Sequence, residues 1–520
     1  MANSASEWNI DCLVNVLLIV ALLLVLPVLF IILMVLQVHR QIVMALLALR
    51  HGASFRGLLE GTDVVWAVQD HSSKAMTNVL LLFDMSTAAN PSNEIIRIFR
   101  ERLTNRLHSN VYEKLFWHRR LRWGYYFWTL RNEISLQNYV RQLDTVPFVN
   151  TLSRMQLCQL IGPISSRECK EGMSWELLIG TQPVIYQSNE SPLYPVVFRY
   201  HHSIADGVAI FRLFHDDFLD DAKAVHAWDP KHANQVFAKP SVSWNQLKQI
   251  AFTGPKFIIN ELFFKRERNP FYGQRPSDNK LTCWLREEPY RKGAPNLICT
   301  IKKAKQLIEG SSFTDVFLTA LAMSLRTHCA RKMLDIPPSL TIGTMRRFVK
   351  ESKGVRLCNR SSAVFQTLPI GCLPVSGSPM SIPSLVEQIS SVAAQSAIVQ
   401  SSTDQLTTHW SLSYLPMLLP VPIMRFLFTK SKFSIAFSNI PAFQTTPSVG
   451  GYVLQDACFW VPNIEGNLLG VTVLTTAGRL QIGMIADRII ISKEEELDAI
   501  LHDVIRELEN VAKLFDQTRE

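Results

Sequence analysis

Residues 198–214 read FRYHHSIADGVAIFRLF. Upstream, Tyr194, Val196, Phe198, Tyr200 and His202 recur at period two and so share one face of a strand, with His201 on the other. Downstream, Val208, Phe211, Phe214 and Phe218 recur at helical spacing. The polar run between them turns the chain, so His202 is expected at a strand end, immediately before a helix. Such a junction lies at a sheet edge and can project a side chain into a cleft. Imidazole titrates near neutral pH, so His202 suits a general base that takes a proton and returns it. The bland alternative is a pair of hydrogen-bonded structural histidines. A metal site is disfavoured, because adjacent strand residues point to opposite faces and cannot easily reach one ion.

Asp206 and Gly207 follow at once. An ionised Asp206 would hold the turn by pairing with backbone N–H groups or with an arginine, Arg347 and Arg488 being the candidates. Gly207 would permit close backbone packing. No Gly-x-Ser-x-Gly elbow, His-Glu-x-x-His pair or Gly-x-x-x-x-Gly-Lys loop occurs.

Further out, SWELLIG (174–180) and YPVVFRYHH (194–202) read as neighbouring strands, residues 79–83 as another strand and 94–107 as a helix. RRLRWGYYFWTLR (119–131) reads either as an interfacial basic–aromatic patch or as one buried strand with basic flanks. Residues 228–240 read as a linker. A helix is expected over 312–326. MLLPVPIMRFLF (417–428) is apolar but interrupted by Pro420 and Pro422, and reads as core, acyl channel or membrane-dipping segment. LLGVTVLTTAGRLQIGMIAD (468–487) is a hairpin turning at Ala477-Gly478. Leu497, Ile500, Leu501, Val504, Ile505, Leu508, Val511 and Phe515 mark one stripe of a last helix, for which Ser492 and Glu495 suggest a capping box.

Residues 16–36, VLLIVALLLVLPVLFIILMVL, carry no charge. At 1.5 Å per residue they span roughly 31 Å, close to the hydrocarbon thickness of a bilayer. A basic leader and a small-residue cleavage site are missing, which favours a retained anchor over a cleaved signal. Arg40, Arg50 and Arg56 follow the span and no Lys or Arg precedes it, so the bulk of the chain is expected in the cytosol. Residues 42–49 are too short to span again. They either continue the helix or lie against the bilayer.

The chain has 520 residues and a net charge of +9 with no long basic block, which argues against nucleic acid as a partner. Nine cysteines, odd in number and without a Cys-x-x-Cys, argue against a disulfide framework and a structural zinc site, and for reduced thiols. The triplets at 189–191 and 359–361 match the glycosylation pattern but would stay unmodified in the cytosol.

HHSIADG resembles the His-His-x-x-x-Asp-Gly motif of the acyl-CoA-dependent acyltransferase superfamily, which includes chloramphenicol acetyltransferase and peptide-synthetase condensation domains. FSNIPAF, residues 451–491 and the last helix resemble the C-terminal region of the wax ester synthase/diacylglycerol acyltransferase (WS/DGAT) family. CNRSSAVFQTLPIG (358–371) is similar to that family's Gly-Asn…Leu-Pro segment, and the resemblance runs with gaps over residues 58–515. It implies an α/β fold: two chloramphenicol acetyltransferase-like subdomains of mixed sheet flanked by helices, with a tunnel between them. Residues 1–56 would then be the anchor, 57–240 the N-terminal subdomain and 241–520 the C-terminal one.

The resemblance also implies acyl transfer from acyl-CoA, the cosubstrate, to a lipid alcohol, with no other cofactor and no metal. The alcohol would be a long-chain alcohol, giving wax ester, or diacylglycerol, giving triacylglycerol. His202 would be the base, His201, Asp206 and Gly207 its motif partners, and Ser438 and Asn439 would contact substrate. The family's Pro-Leu-Trp, Asn-Asp and Gly-Asn elements read Met173-Ser174-Trp175, Thr314-Asp315 and Cys358-Asn359 here, which bears on acceptor choice. The expected location is the endoplasmic-reticulum membrane, single-pass, with lipid-droplet surface and plasma membrane as alternatives. The other functional readings are an acyltransferase for a sterol or retinol, and a non-catalytic lipid-binding scaffold. Oligomeric state is left open.

Overall fold

The computed structural model describes residues 2–70, 74–106, 112–131, 133–186, 191–220, 242–261, 267–273, 275–287, 296–347, 357–371, 381–428 and 433–517. The linker expected at 228–240 lies outside them.

The chain opens with one helix, α1 (Ala2–His51), which holds Pro27. Residues 42–49 therefore continue this apolar helix. Then come β1 (Phe55–Leu58), α2 (Thr62–Gln69), β2 (Met76–Asp84), α3 (Pro91–Arg106), β3 (Trp117–Arg122), β4 (Tyr125–Leu130), α4 (Leu136–Tyr139) and β5 (Val140–Gln142). Next are α5 (Arg154–Ser165), β6 (Trp175–Ile179), β7 (Leu193–His201), α6 (Gly207–Leu213), α7 (Trp244–Ile259), β8 (Lys280–Arg286), α8 (Leu297–Ala304) and α9 (Phe313–Arg331). The remainder is β9 (Ser339–Arg347), β10 (Ser361–Pro369), α10 (Ile382–Ser401), α11 (Asp404–Leu418), α12 (Val421–Phe428), β11 (Ile435–Pro441), β12 (Ser448–Val449), β13 (Tyr452–Trp460), β14 (Leu469–Thr476), β15 (Arg479–Asp487) and α13 (Glu494–Gln517).

Two mixed sheets carry the fold. One runs β12-β13-β2-β7-β6-β5 and the other β10-β9-β11-β14-β15-β8. Thus β12 and β13, from late in the chain, complete the sheet of the early half. The two sheets share one core in which Leu80, Leu82 and Val197 join Trp284, Val471 and Ile482. Helix α5 of the first half also sits on β8 of the second. There a Cβ on Gly162 would come 2.6 Å from the Lys280 carbonyl oxygen, so only glycine permits the approach.

A third, three-stranded sheet, β1-β4-β3, backs against α1. Residues 119–131 are thus a hairpin rather than one buried strand. Tyr125–Trp128 of β4 are buried, whereas Arg120–Arg122 of β3 are exposed. The reason is the turn: Trp123 (φ 49°) and Gly124 (φ 82°) both adopt the left-handed conformation of a tight hairpin. Val43 and Leu47 of α1 pack on Leu58, Tyr125 and Phe127 of this sheet.

Residues 417–428 end α11 and form α12, with Val421 and Met424 buried and Ile423 and Phe426 exposed. The expected capping box of the last helix does not form. Helix α13 begins at Glu494, and the Ser492 hydroxyl donates to Glu496 Oε1 at 3.4 Å. The 468–487 hairpin forms as read, turning at Ala477 (φ 49°) and Gly478 (φ 73°).

Candidate active site

Strand β7 ends at His201, and His202 opens the turn into α6. The backbone N–H of His202 donates to the Ala75 carbonyl beside the adjacent strand β2, and that of His201 to the Ser174 carbonyl beside β6. The pair is therefore held where three strands end.

The two imidazoles have different partners. His201 is buried; Arg119 Nη1 donates to its Nδ1 at 2.6 Å, and its Nε2–H donates to Asp70 Oδ1 at 2.9 Å. Arg119 also pairs with Asp70. Burial and the Arg119 charge lower the His201 pKa, while ion pairing holds the Asp70 carboxyl well below its usual range against the opposing effect of burial. His201 is thus fixed as an Nε2–H tautomer inside an ion-pair network.

His202 is buried with its ring stacked on Trp66 at 4.0 Å between centroids. Its Nδ1 lies 3.1 Å from Asn359 Oδ1. The orientation of that amide is pinned: Asn359 Nδ2 donates to Asp63 Oδ1 at 2.8 Å and to the His202 carbonyl at 2.7 Å. Asp63 in turn accepts from Lys114 Nζ at 2.8 Å. An oxygen facing Nδ1 makes His202 the donor there. The proton therefore sits on Nδ1, and the lone pair on Nε2, which has no hydrogen-bond partner among the described residues. Burial pushes the His202 pKa down to about 4, partly offset by the charge of Asp206, so the ring is neutral near pH 7. Burial raises the Asp63 pKa, and Lys114 opposes it.

Asp206 joins the motif to the second half of the chain. It N-caps α6 by accepting from Ala209 N at 3.0 Å. Its other oxygen accepts from Arg360 N and Ser361 Oγ, both at 2.9 Å. Backbone N–H groups thus bind it, as one of the sequence readings had it. Of the two arginines named as candidates, Arg488 instead pairs with Glu494 and Asn279, and the Arg347 side chain lies outside the description. Gly207 is the first residue of α6 with no positive φ; a Cβ there would meet only Ile440 Cδ1, at 3.3 Å. The close backbone packing expected of it is therefore absent. Ser438 and Asn439 lie on β11. Ser438 shares a strand face with Ile440 and hence with the motif helix, while Asn439 occupies the opposite face.

Two spaces meet at Thr62 and Ser361, beside Asn359 and Trp66. One is an apolar chamber of about 210 Å³, lined among others by Trp66, Phe257, Phe365, Leu412, Leu415 and Leu427. The other is a polar cleft of about 1100 Å³ with Arg40, Lys114, Asn359, Arg360 and His409 among its lining residues.

Sequence reasoning missed Asp63, Trp66, Asp70, Lys114 and Arg119. A signal existed: in GTDVVWAVQD, Asp63, Trp66 and Asp70 recur at i, i+3 and i+7, one face of a helix, with two carboxylates among apolar residues.

Comparison with known proteins bears on this arrangement. Residues 359–509 match the family model described as the WS/DGAT C-terminal domain. The chain is similar to the wax ester synthase/diacylglycerol acyltransferase from Marinobacter aquaeolei VT8, at 15% identity and a TM-score of 0.56 over 88% of this chain and 100% of that one. It is similar to the trichothecene 15-O-acetyltransferase from Fusarium sporotrichioides, at 11% identity and a TM-score of 0.57 over 87% and 94% of the two chains. No curated protein sequence matches it. At these identities the structural likenesses bear on the fold. Residues 359–509, which begin at the asparagine facing His202, match the WS/DGAT C-terminal domain, and they complete a two-sheet fold similar to that of the wax ester synthase/diacylglycerol acyltransferase.

Proposed function

We propose that this protein is a membrane-anchored O-acyltransferase that moves a fatty acyl group from acyl-CoA to a lipid alcohol, with His202 as general base. The observation that carries the reading is the bond from His202 Nδ1 to the pinned Asn359 Oδ1. It leaves a neutral imidazole with its Nε2 lone pair unengaged among the described residues; His202 itself lines neither space, but the ring stacked on it, Trp66, lines the apolar chamber and its partner Asn359 lines the polar cleft.

In this reading Nε2 takes the hydroxyl proton of the acceptor as the alcohol oxygen attacks the thioester carbonyl carbon. The tetrahedral oxyanion collapses to ester, the C–S bond breaks, and the departing thiolate takes the proton from Nε2. The imidazolium formed in between is stabilised at Nδ1–H by Asn359. Ser438, on the motif-facing side of β11, is the candidate donor to the oxyanion; Asn439 faces away. The apolar chamber suits an alkyl chain, and Arg40, Lys114 and Arg360 around the cleft suit the phosphates of a CoA moiety. Helix α1 would hold this site beside the bilayer, where lipid acceptor and ester partition, with the catalytic part in the cytosol. The endoplasmic reticulum, the source of both lipids, is the proposed membrane.

The test uses microsomes from cells lacking other acyltransferases, labelled palmitoyl-CoA, and hexadecanol or diacylglycerol as acceptor. Ester formed by the wild type and lost in a folded His202→Ala variant is the expected result. Turnover retained in that variant removes His202 from the mechanism.

A further inference from the structure

The apolar length of α1 exceeds what a span needs. Residues 13–49 carry Arg40 as their only Asp, Glu, Lys or Arg, and that side chain is buried with Glu60 3.8 Å away. These 37 or so residues extend about 55 Å, against a hydrocarbon core of about 30 Å. Tilt alone would have to reach about 57°, beyond the ~40° at which membrane helices stop.

The protein absorbs only one side of the excess, where α1 meets the three-stranded sheet, α7 and α11. Past the span, one face of α1 packs on the three-stranded sheet through Arg40, Val43 and Leu47. The opposite face keeps Val38, Ile42, Leu46 and Leu49 exposed, Leu49 at 82%. Four large apolar side chains at spacings of four, four and three residues form a ridge that water penalises.

Charge flanks that ridge. Arg120 stands opposite Phe127 in the β3–β4 register and Arg122 opposite Tyr125, so both arginines share the sheet face that α1 covers. Arg50 ends the helix on the same side. The His51 ring lies 5.2 Å from that of Phe127. At the hairpin tip Trp123 is exposed, with the Arg122 guanidinium 4.8 Å from its ring centre. Arginine beside tryptophan beside an aliphatic ridge is the chemistry of a headgroup layer.

We infer that residues 38–51 and the β3–β4 hairpin form a second membrane contact. The Ile42/Leu46/Leu49 ridge dips into the interface, and Arg50, Arg120 and Arg122 engage the headgroups of anionic lipids. This contact rests on the reading of α1 as a span. It lays the catalytic body against the leaflet instead of letting it hang from a tether. The apolar ridge is continuous with the spanning segment, which makes the bilayer its occupant.

The test places a fluorescent amino acid at position 24, 49, 123 or 333 of the full-length protein, reconstituted in nanodiscs carrying bromine-labelled quencher lipids. Position 24 reports the span, 49 and 123 the docking face, and 333 a remote exposed loop after α9. Expected are quenching at 24 in any lipid, quenching at 49 and 123 that strengthens when phosphatidylserine is added, and none at 333. A combined Arg50→Glu, Arg120→Glu, Arg122→Glu variant should lose docking while position 24 stays quenched. Each arginine contributes about fivefold to the docked-to-undocked ratio, so three contribute on the order of a hundredfold. Quenching at 24 without quenching at 49 overturns the docking and leaves the span intact; loss at both overturns the span reading as well. Self-quenching between labelled copies at 49 without lipid quenching assigns the ridge to a second copy and overturns the proposal. Equal quenching at 49 and 123 with and without phosphatidylserine overturns its charge component.

Discussion

Replacing Asn359 with alanine isolates the tautomer argument. The side chain accepts from His202 Nδ1 at 3.1 Å and is locked in that orientation by Asp63 and the His202 carbonyl. In the resting enzyme this is a neutral hydrogen bond, worth about 1 kcal/mol; when Nε2 is protonated it becomes charge-assisted, worth about 1.5–3 kcal/mol. The difference, about 1–2 kcal/mol, is present only while the imidazolium exists. It predicts a 5- to 30-fold fall in kcat at roughly constant KM for acyl-CoA. Because the bond also raises the His202 pKa, its loss should move the acid limb of the pH–rate profile lower as the plateau falls. The assay is initial-rate acyl transfer in detergent or nanodiscs, with denaturant unfolding run in parallel. A folded Asn359→Ala enzyme with kcat within twofold of wild type, or one whose loss lies wholly in KM, would refute the reasoning.

Other outcomes follow from the same contacts. Since burial holds His202 near pKa 4, its working neutral form is complete above that value. Initial kcat/KM should therefore be flat in His202 from about pH 5 to 8 and fall tenfold per unit below about 4; a midpoint near 6.5 contradicts the buried base. Asp206→Ala leaves Ala209 N–H, Arg360 N–H and Ser361 O–H without their acceptor and should cost about 2–4 kcal/mol of stability, read by denaturant unfolding. His201→Ala removes a hydrogen-bond partner from both Arg119 and Asp70 and leaves a cavity beside their ion pair, so it should lower stability while keeping measurable turnover, the converse of His202→Ala. Gly162→Ala must push α5 off β8 at a cost of about 1–3 kcal/mol, whereas Gly207→Ala should stay within about 1 kcal/mol of wild type.

Much of the fold was legible because its signals are local. The period-two run ending at His202, the helical stripe after it, the 468–487 hairpin and the apolar α1 each announce themselves within about twenty residues. Errors fell where a local pattern had two solutions. RRLRWGYYFWTLR fits one long strand as well as a hairpin, and the positive φ of Trp123 is not a preference of that residue. Ser492 and Glu495 have capping-box spacing, yet the helix starts two residues past Ser492.

The sequence by itself determined that an imidazole stands at a strand end before a helix, and that the chain carries a helix apolar enough to cross a bilayer. Hydrophobic periodicity is read one turn or one pleat at a time, and both features need nothing more. Tertiary structure alone decided which nitrogen of His202 holds the proton. That is set by Asn359, 157 positions away, and through it by Asp63 and Lys114. The same holds for Trp66 under the ring and for the Asp70–Arg119 pair that confines His201. A hydrogen bond between distant segments depends on where two sheets bring their ends together, and no spacing along the chain encodes that distance.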